Sequence, residues 1–212
     1  MNPHDTDRMI QMITGYWVSQ VVHAAATFSL ADHLAKGPAT AEDIASAEGT
    51  DPWATFRLLR TCASLGMVTY DGRSRFAATS LLDTLRKENL KSLRGLAVSL
   101  PAPGHWLPWG RFTDAVKTGQ SQTVPALGAG IFEYFATHAA EAAAFTEAMT
   151  SLTSTVLEQT TRVIDTRGGK TSWPDLSEVA LICQCSRNTG GCLEAESVPF
   201  VKYSTNYCRW YR

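Results

Sequence analysis

Four groups of residues in this sequence could do chemistry. Gly168-Gly169-Lys170-Thr171 has the closing half of a phosphate loop, where backbone N–H groups and a lysine cradle phosphates. The first glycine of that pattern, five residues before Gly169, is missing, so no nucleotide site is expected. Cys183-x-Cys185 with Cys192 offers thiolates to a metal, but the spacing is not C-x-x-C and no histidine is near. Unstructured thiols are expected there, and no metal ligand is assigned. His23, His33 and His105 could move protons, yet a general base needs an oriented partner and none is identifiable in sequence. All three are expected to be structural or exposed, and no catalytic residue is assigned. Phe145 and Met149, four residues apart, place flat apolar groups on one helix face, with Thr153 one turn further on. Such a face suits an aromatic ligand and equally suits core packing. Trp106 and Trp109 lie in a Pro/Gly-rich stretch, where they could cover a pocket or pin a loop.

The elements that must position these residues are mostly helical. Residues 6–35 read as one long helix, with Ile10, Ile13, Trp17, Val21, Ala24 and Phe28 at spacings of three and four. Met9, Met12, Tyr16 and Val22 widen its apolar face beyond what one partner needs, so burial from two sides is expected, by a bundle or by another subunit. Thr40 with Asp43 predicts a capping box that opens a short helix, closed by Gly49. Asp51 and Pro52 open a third helix, and Gly66 follows it as its C′ residue. Residues 67–70 and 74–77 flank Asp71-Gly72, a type I′ hairpin signal. Ser80 then opens a helix that carries Leu81, Leu82 and Leu85.

The order helix, short helix, helix, hairpin is that of a winged helix. Residues 100–104 read as a loop, followed by an amphipathic turn around Phe112, Ala115 and Val116. Gly119 and Gly128 mark polar breaks. An alanine-rich helical stretch from Ile131 to about Arg162 can divide near His138. The predicted fold is mainly α, a winged-helix-like domain with a small β-hairpin, then long helices and an irregular tail. The predicted division is 1–100, 101–171 and 172–212.

Composition excludes several classes. The net charge is −1, with 18% charged residues, which gives no electrostatic reason for a nucleic-acid partner. No apolar run approaches the ~20 residues of a membrane span. The first residues lack the basic and apolar regions of a signal peptide, so a cytoplasmic protein without a membrane partner is expected. Four of the five cysteines fall after residue 180, unlike a disulfide framework.

Taken together, four stretches resemble the S-adenosylmethionine-dependent O-methyltransferases that act on plant phenolics and bacterial polyketides. Gly15–Gln20 through Leu30–Leu34 is similar to the family's opening dimerisation helix. Thr40–Ala45, with Phe56–Arg60 and Leu65-Gly66-Met67, is similar to its winged-helix core. Trp106 through Gly119 resembles its W-x-x-L…G passage, and Phe132–Tyr134 with Phe145–Met149 resembles its F-x-x-x-M helix. The resemblance spans roughly residues 8–170. It implies a homodimer through the N-terminal helices, and a small aromatic or polyketide acceptor. It also implies an acceptor wall containing Phe145, Met149, Thr153 and Trp106.

The resemblance further implies S-adenosylmethionine as methyl donor, held by a second domain on a glycine-rich turn. No Asp-x-Gly-x-Gly-x-Gly pattern occurs here, so no cofactor-binding residue is assigned. The chain itself is expected not to bind the donor and to be inactive alone. Residues 172–212 change character so sharply that an out-of-frame tail is expected. Two other functions remain: a winged-helix DNA-binding regulator, which the topology fits but for which Arg57, Arg60, Arg73 and Arg75 are a sparse basic stripe, and a non-catalytic dimer partner of an intact relative.

Overall fold

The computed structural model describes residues 3–89 and 91–163, and side chains for 4–89 and 91–153. The tail cysteines, the Gly168–Thr171 stretch, a strand at 179–183 and the predicted tail all lie outside the described residues. The long first helix forms as two pieces, α1 (Pro3–Thr27) and α2 (Leu30–Leu34). The break is at Ser29, whose φ of 48° is left-handed, a conformation that interrupts the helical ladder. With no glycine or proline there, the sequence pattern runs through it.

A short β1 (Ala39–Thr40) leads into α3 (Ala41–Glu48). The Thr40 hydroxyl accepts from the Asp43 N–H and the Asp43 carboxylate accepts from the Thr40 N–H, both at 3.1 Å. Those bonds hold the Asp43 carboxyl below its ordinary pKa, the Thr40 N–H being the larger cause. α4 (Pro52–Ser64) starts as predicted, the Asp51 carboxylate accepting from the Ala54 N–H at 2.7 Å. β2 (Val68–Tyr70) and β3 (Arg75–Ala78) follow. β1 pairs with β3, giving a three-stranded antiparallel sheet in the order β1-β3-β2.

The hairpin turn is longer than a type I′ turn. Asp71 N–H donates to the Arg75 carbonyl at 3.1 Å, so Gly72, Arg73 and Ser74 form the loop. The Asp71 carboxylate accepts from the N–H groups of Arg73, Ser74 and Arg75. A side chain thus supplies the closure that a two-residue turn makes through backbone alone. α5 (Ser80–Asp83) has Thr79 as its N-cap and ends before Leu85. The Thr79 hydroxyl is already committed to the Gly66 and Met67 carbonyls at 2.8 Å.

Leu30, Ile44, Leu59, Cys62, Phe76 and Leu82 form the fully buried centre of this part. Burial raises the Cys62 thiol pKa to about 11, so it packs as a small apolar group.

Six more helices complete the described chain: α6 (Arg94–Ser99), α7 (Pro103–Gly110), α8 (Phe112–Thr118), α9 (Thr123–Leu127), α10 (Ile131–Thr137) and α11 (Ala139–Val163). α6 packs along α11 and against α1. His23 Nδ1 lies 3.0 Å from the Ala97 carbonyl and ties α1 to α6. His33 reaches the Glu48 carboxylate at 2.5 Å and ties α2 to α3. His33 thus has a carboxylate partner, Glu48, that the sequence does not announce. No helix among the described residues is long and apolar enough to cross a membrane.

Candidate functional site

α11 carries most of the candidate residues. Its first half is alanine-rich, which favours helix, and His138 separates it from α10. Phe145, Met149 and Thr153 recur every four residues and so share one face. Phe145 and Met149 are half-buried, while Thr153 is exposed. The Thr153 hydroxyl donates to the Met149 carbonyl at 2.8 Å.

Trp106 is not on a loop. The stretch expected as a loop is α7, with Pro103 in its first turn. The Gly104 N–H donates to the Glu141 carboxylate at 2.9 Å. A residue from α11 therefore caps this helix, and no local signal announces it. The Trp106 ring makes no ring contact among the described residues and is 36% exposed. Its neighbour His105 turns inward instead and stacks on Phe145, 5.6 Å between centroids. Adjacent helix residues point apart, which explains the split.

Sequence reasoning missed the group behind the wall. His105, Phe135 and Phe145 pack as a trio, with Phe135 and Phe145 5.2 Å apart. His105 is buried, and its Nδ1 has no hydrogen-bond partner among the described residues. Burial lowers its pKa, against smaller raising effects from the Ser99 backbone and the Glu141 charge. The ring is therefore neutral near pH 7.

Glu141 also accepts from the Tyr134 hydroxyl at 2.8 Å. Burial, then that hydrogen bond, raises the Tyr134 pKa. A Cβ on Gly104 would lie 2.9 Å from the Glu141 carboxylate, so a larger residue there would make the carboxylate shift. No spacing rule pairs Gly104 with Glu141. The one available signal was the lone carboxylate within an alanine run.

The geometry is thus one apolar helix face backed by a neutral aromatic layer, next to a domain of winged-helix element order. The family model for the O-methyltransferase dimerisation domain matches residues 10–88. The chain carries an O-methyltransferase dimerisation domain. A phenazine O-methyltransferase, PhzM of Lysobacter antibioticus, is 32% identical over 148 residues, covering 70% of this chain and 43% of that protein. The solved structure of LaPhzM superposes with a TM-score of 0.72 at 30% identity, over 76% of this chain and 48% of that one. CalO1, a methyltransferase of calicheamicin biosynthesis solved with SAH bound, gives 0.61 at 27% identity, over 72% and 46%. The chain spans less than half the length of these relatives. The family-model match ends at residue 88, before the candidate wall.

The one sheet among the described residues is antiparallel and short, and no glycine-rich turn joins a strand to a helix there. The described residues therefore do not form the glycine-rich donor turn that the resemblance implies. Among the described residues no group of three or more His, Cys, Asp or Glu could hold a metal. Of the arginines that a DNA reader would use, Arg60 lies 4.8 Å over the Tyr70 ring and Arg75 donates to the Pro38 carbonyl.

Proposed function

We propose that this chain is the dimer-forming and acceptor-wall part of a small-molecule O-methyltransferase that uses S-adenosylmethionine, and that the 212 residues alone neither bind the donor nor transfer a methyl group. The observation that carries the reading is the outer half of α1. Met9, Met12, Ile13, Tyr16 and Trp17 are between 51% and 67% exposed. That is a contiguous apolar face of the kind that marks an interface, and it lies largely inside the matched dimerisation domain. The occupant proposed is the same face of a second copy. This face, with no donor turn among the described residues, also fits a non-catalytic partner of an intact relative.

Residues 1–100 would serve the dimer and residues 101–171 the wall, with 172–212 outside the described residues. Phe145, Met149, Thr153 and Trp106 are proposed to contact a planar aromatic or polyketide acceptor. The relatives' names support that class, PhzM acting on a phenazine. The bound donor would supply the methyl group. These residues would hold the acceptor flat and keep water away, a contribution by positioning. His105 would stay neutral behind the wall and move no proton. The proposed setting is the cytoplasm, with no nucleic-acid or membrane partner, in keeping with the near-neutral charge.

Light scattering on the full chain tests the dimer. A dimer is expected, and Ile13→Glu with Trp17→Glu should give a folded monomer. A monomer at high concentration for the unaltered chain would refute it. Calorimetric titration with S-adenosylmethionine tests the donor: micromolar binding would refute the second half of the proposal.

A further inference from the structure

The hairpin turn and the start of α4 enclose a cleft that the proposal above does not use. Glu42, Pro52, Trp53, Phe56, Arg73 and Ser74 line about 340 Å³ of space, within the size range of small-molecule sites. One wall is aromatic and fixed. The Trp53 and Phe56 rings are stacked, 5.6 Å between centroids and 13° between planes. Phe56 meets Tyr70 and the fully buried Phe76 edge-on. The stack is thereby anchored in the core, yet Trp53 remains 67% exposed. A large ring held flat against water in this way is a preorganised stacking platform, which keeps the ordering cost of binding low.

Two charges of opposite sign border that platform, and Arg73 also acts at a distance on the Asp71 carboxylate. Neither Glu42 nor Arg73 has a salt-bridge partner among the described residues. The neighbouring carboxylates are committed: Asp71 takes three backbone N–H groups and Asp51 takes that of Ala54. A ligand here must offer a planar ring, an anion for Arg73 and a cation for Glu42. A guanidinium is suited to a carboxylate, and the Ser74 hydroxyl can add one hydrogen bond.

We propose that this cleft binds a free aromatic amino acid, its ring on Trp53, its carboxylate at Arg73 and its ammonium at Glu42. The site is independent of any part the chain takes in methyl transfer.

The experiment is an NMR titration of the full chain with L-phenylalanine. The Trp53 indole N–H signal is assigned by its loss in Trp53→Phe. A saturable shift of that signal is expected, with a Kd on the order of millimolar, as suits an open cleft. Losing one charged hydrogen bond should weaken binding about tenfold. Arg73→Gln and Glu42→Gln should each do so, and so should replacing the probe by 2-phenylethylamine or 3-phenylpropionate. All the altered residues are exposed, and unchanged far-UV dichroism verifies folding. An indole signal that never saturates would overturn the proposal. So would equal binding of all three probes, which would mean ring stacking without recognition of the charges.

Discussion

Residues 30–85 and residues 94–153 are both largely helical, but different interactions hold them. The first region closes around Leu30, Ile44, Leu59 and Phe76, and neighbours in sequence fix its helix ends. Thr40 and Asp43 cap α3, Asp51 caps α4, and left-handed Gly49 and Gly66 follow them. In the second region local bonds are fewer: Ser92 and Ser121 accept from the first N–H of α6 and of α9, and left-handed Gly119 and Gly128 end α8 and α9. α6 and α7 depend besides on α11, through the close approach at Gly95 and the Glu141 carboxylate on the Gly104 N–H. Local interactions restore themselves after a disturbance nearby, whereas a seam between distant segments loosens as a unit. The two regions should therefore fail differently.

The largest effect should come from the first core. Phe76 is fully buried and lies against Phe56 and Tyr70. Phe76→Ala should cost about 3–5 kcal/mol, read from urea unfolding. A loss well under 1 kcal/mol would mean that this core does not carry the domain.

The sharpest test of the second region is Gly95→Ala. A Cβ there would lie 2.5 Å from the Ala148 nitrogen and 2.8 Å from the Glu147 carbonyl carbon. Both are backbone atoms and cannot swing aside, so α6 and α11 must part. Overpacking of this kind costs roughly 1–3 kcal/mol. Hydrogen exchange should speed up in α6 and α11 while α3 and α4 keep their protection. Uniform loss across both regions would erase the distinction.

Glu141→Ala comes next. It would leave the Gly104 N–H and the Tyr134 hydroxyl without their acceptor, at a cost of about 1–3 kcal/mol. Glu141→Gln keeps an acceptor and should lose less. Thr40→Ala removes one local cap and should cost about 1 kcal/mol, with faster exchange confined to the first turn of α3.

The same contrast explains what the sequence makes legible. Helix starts at Thr40 and Asp51 and stops at Gly49 and Gly66 could be read because each signal lies within four residues of its effect. α7 could not, because Pro103-Gly104 is loop-like by local rule and its cap arrives from Glu141. α6 was missed, since its anchor is the absence of a side chain at Gly95. The Ser29 break carries no glycine or proline to announce it. At the candidate wall, the shared face of Phe145, Met149 and Thr153 follows from spacing, which is a property of one helix. The stacking of His105 and Phe135 behind Phe145 joins three helices, and no periodicity within one of them contains it.

The smallest predicted effect is a difference in acid sensitivity. In the first region Asp43 and Asp71 have lowered pKa values, each caused first by a backbone N–H bond. Such groups stabilise the fold above the ordinary aspartate value of 3.8, and that help fades as pH falls below it. In the second region burial depresses His105 below its ordinary 6.5. The unfolded chain then takes up the proton more readily than the folded one. Stability of the α7–α10–α11 junction is whole above 6.5 and declines as pH falls through that value towards the lower folded pKa. Glu141, whose charge acts in the opposite sense on His105, softens the decline without reversing it. As pH falls below 6.5, protection in α7 and α11, measured relative to intrinsic exchange, should therefore decline while that in α3 and α4 holds. His105→Leu keeps the apolar contacts to Phe135 and Phe145 and should flatten that pH dependence. If the slope survived in the leucine variant, His105 would not be its source, and the two regions would not differ in acid response through this residue.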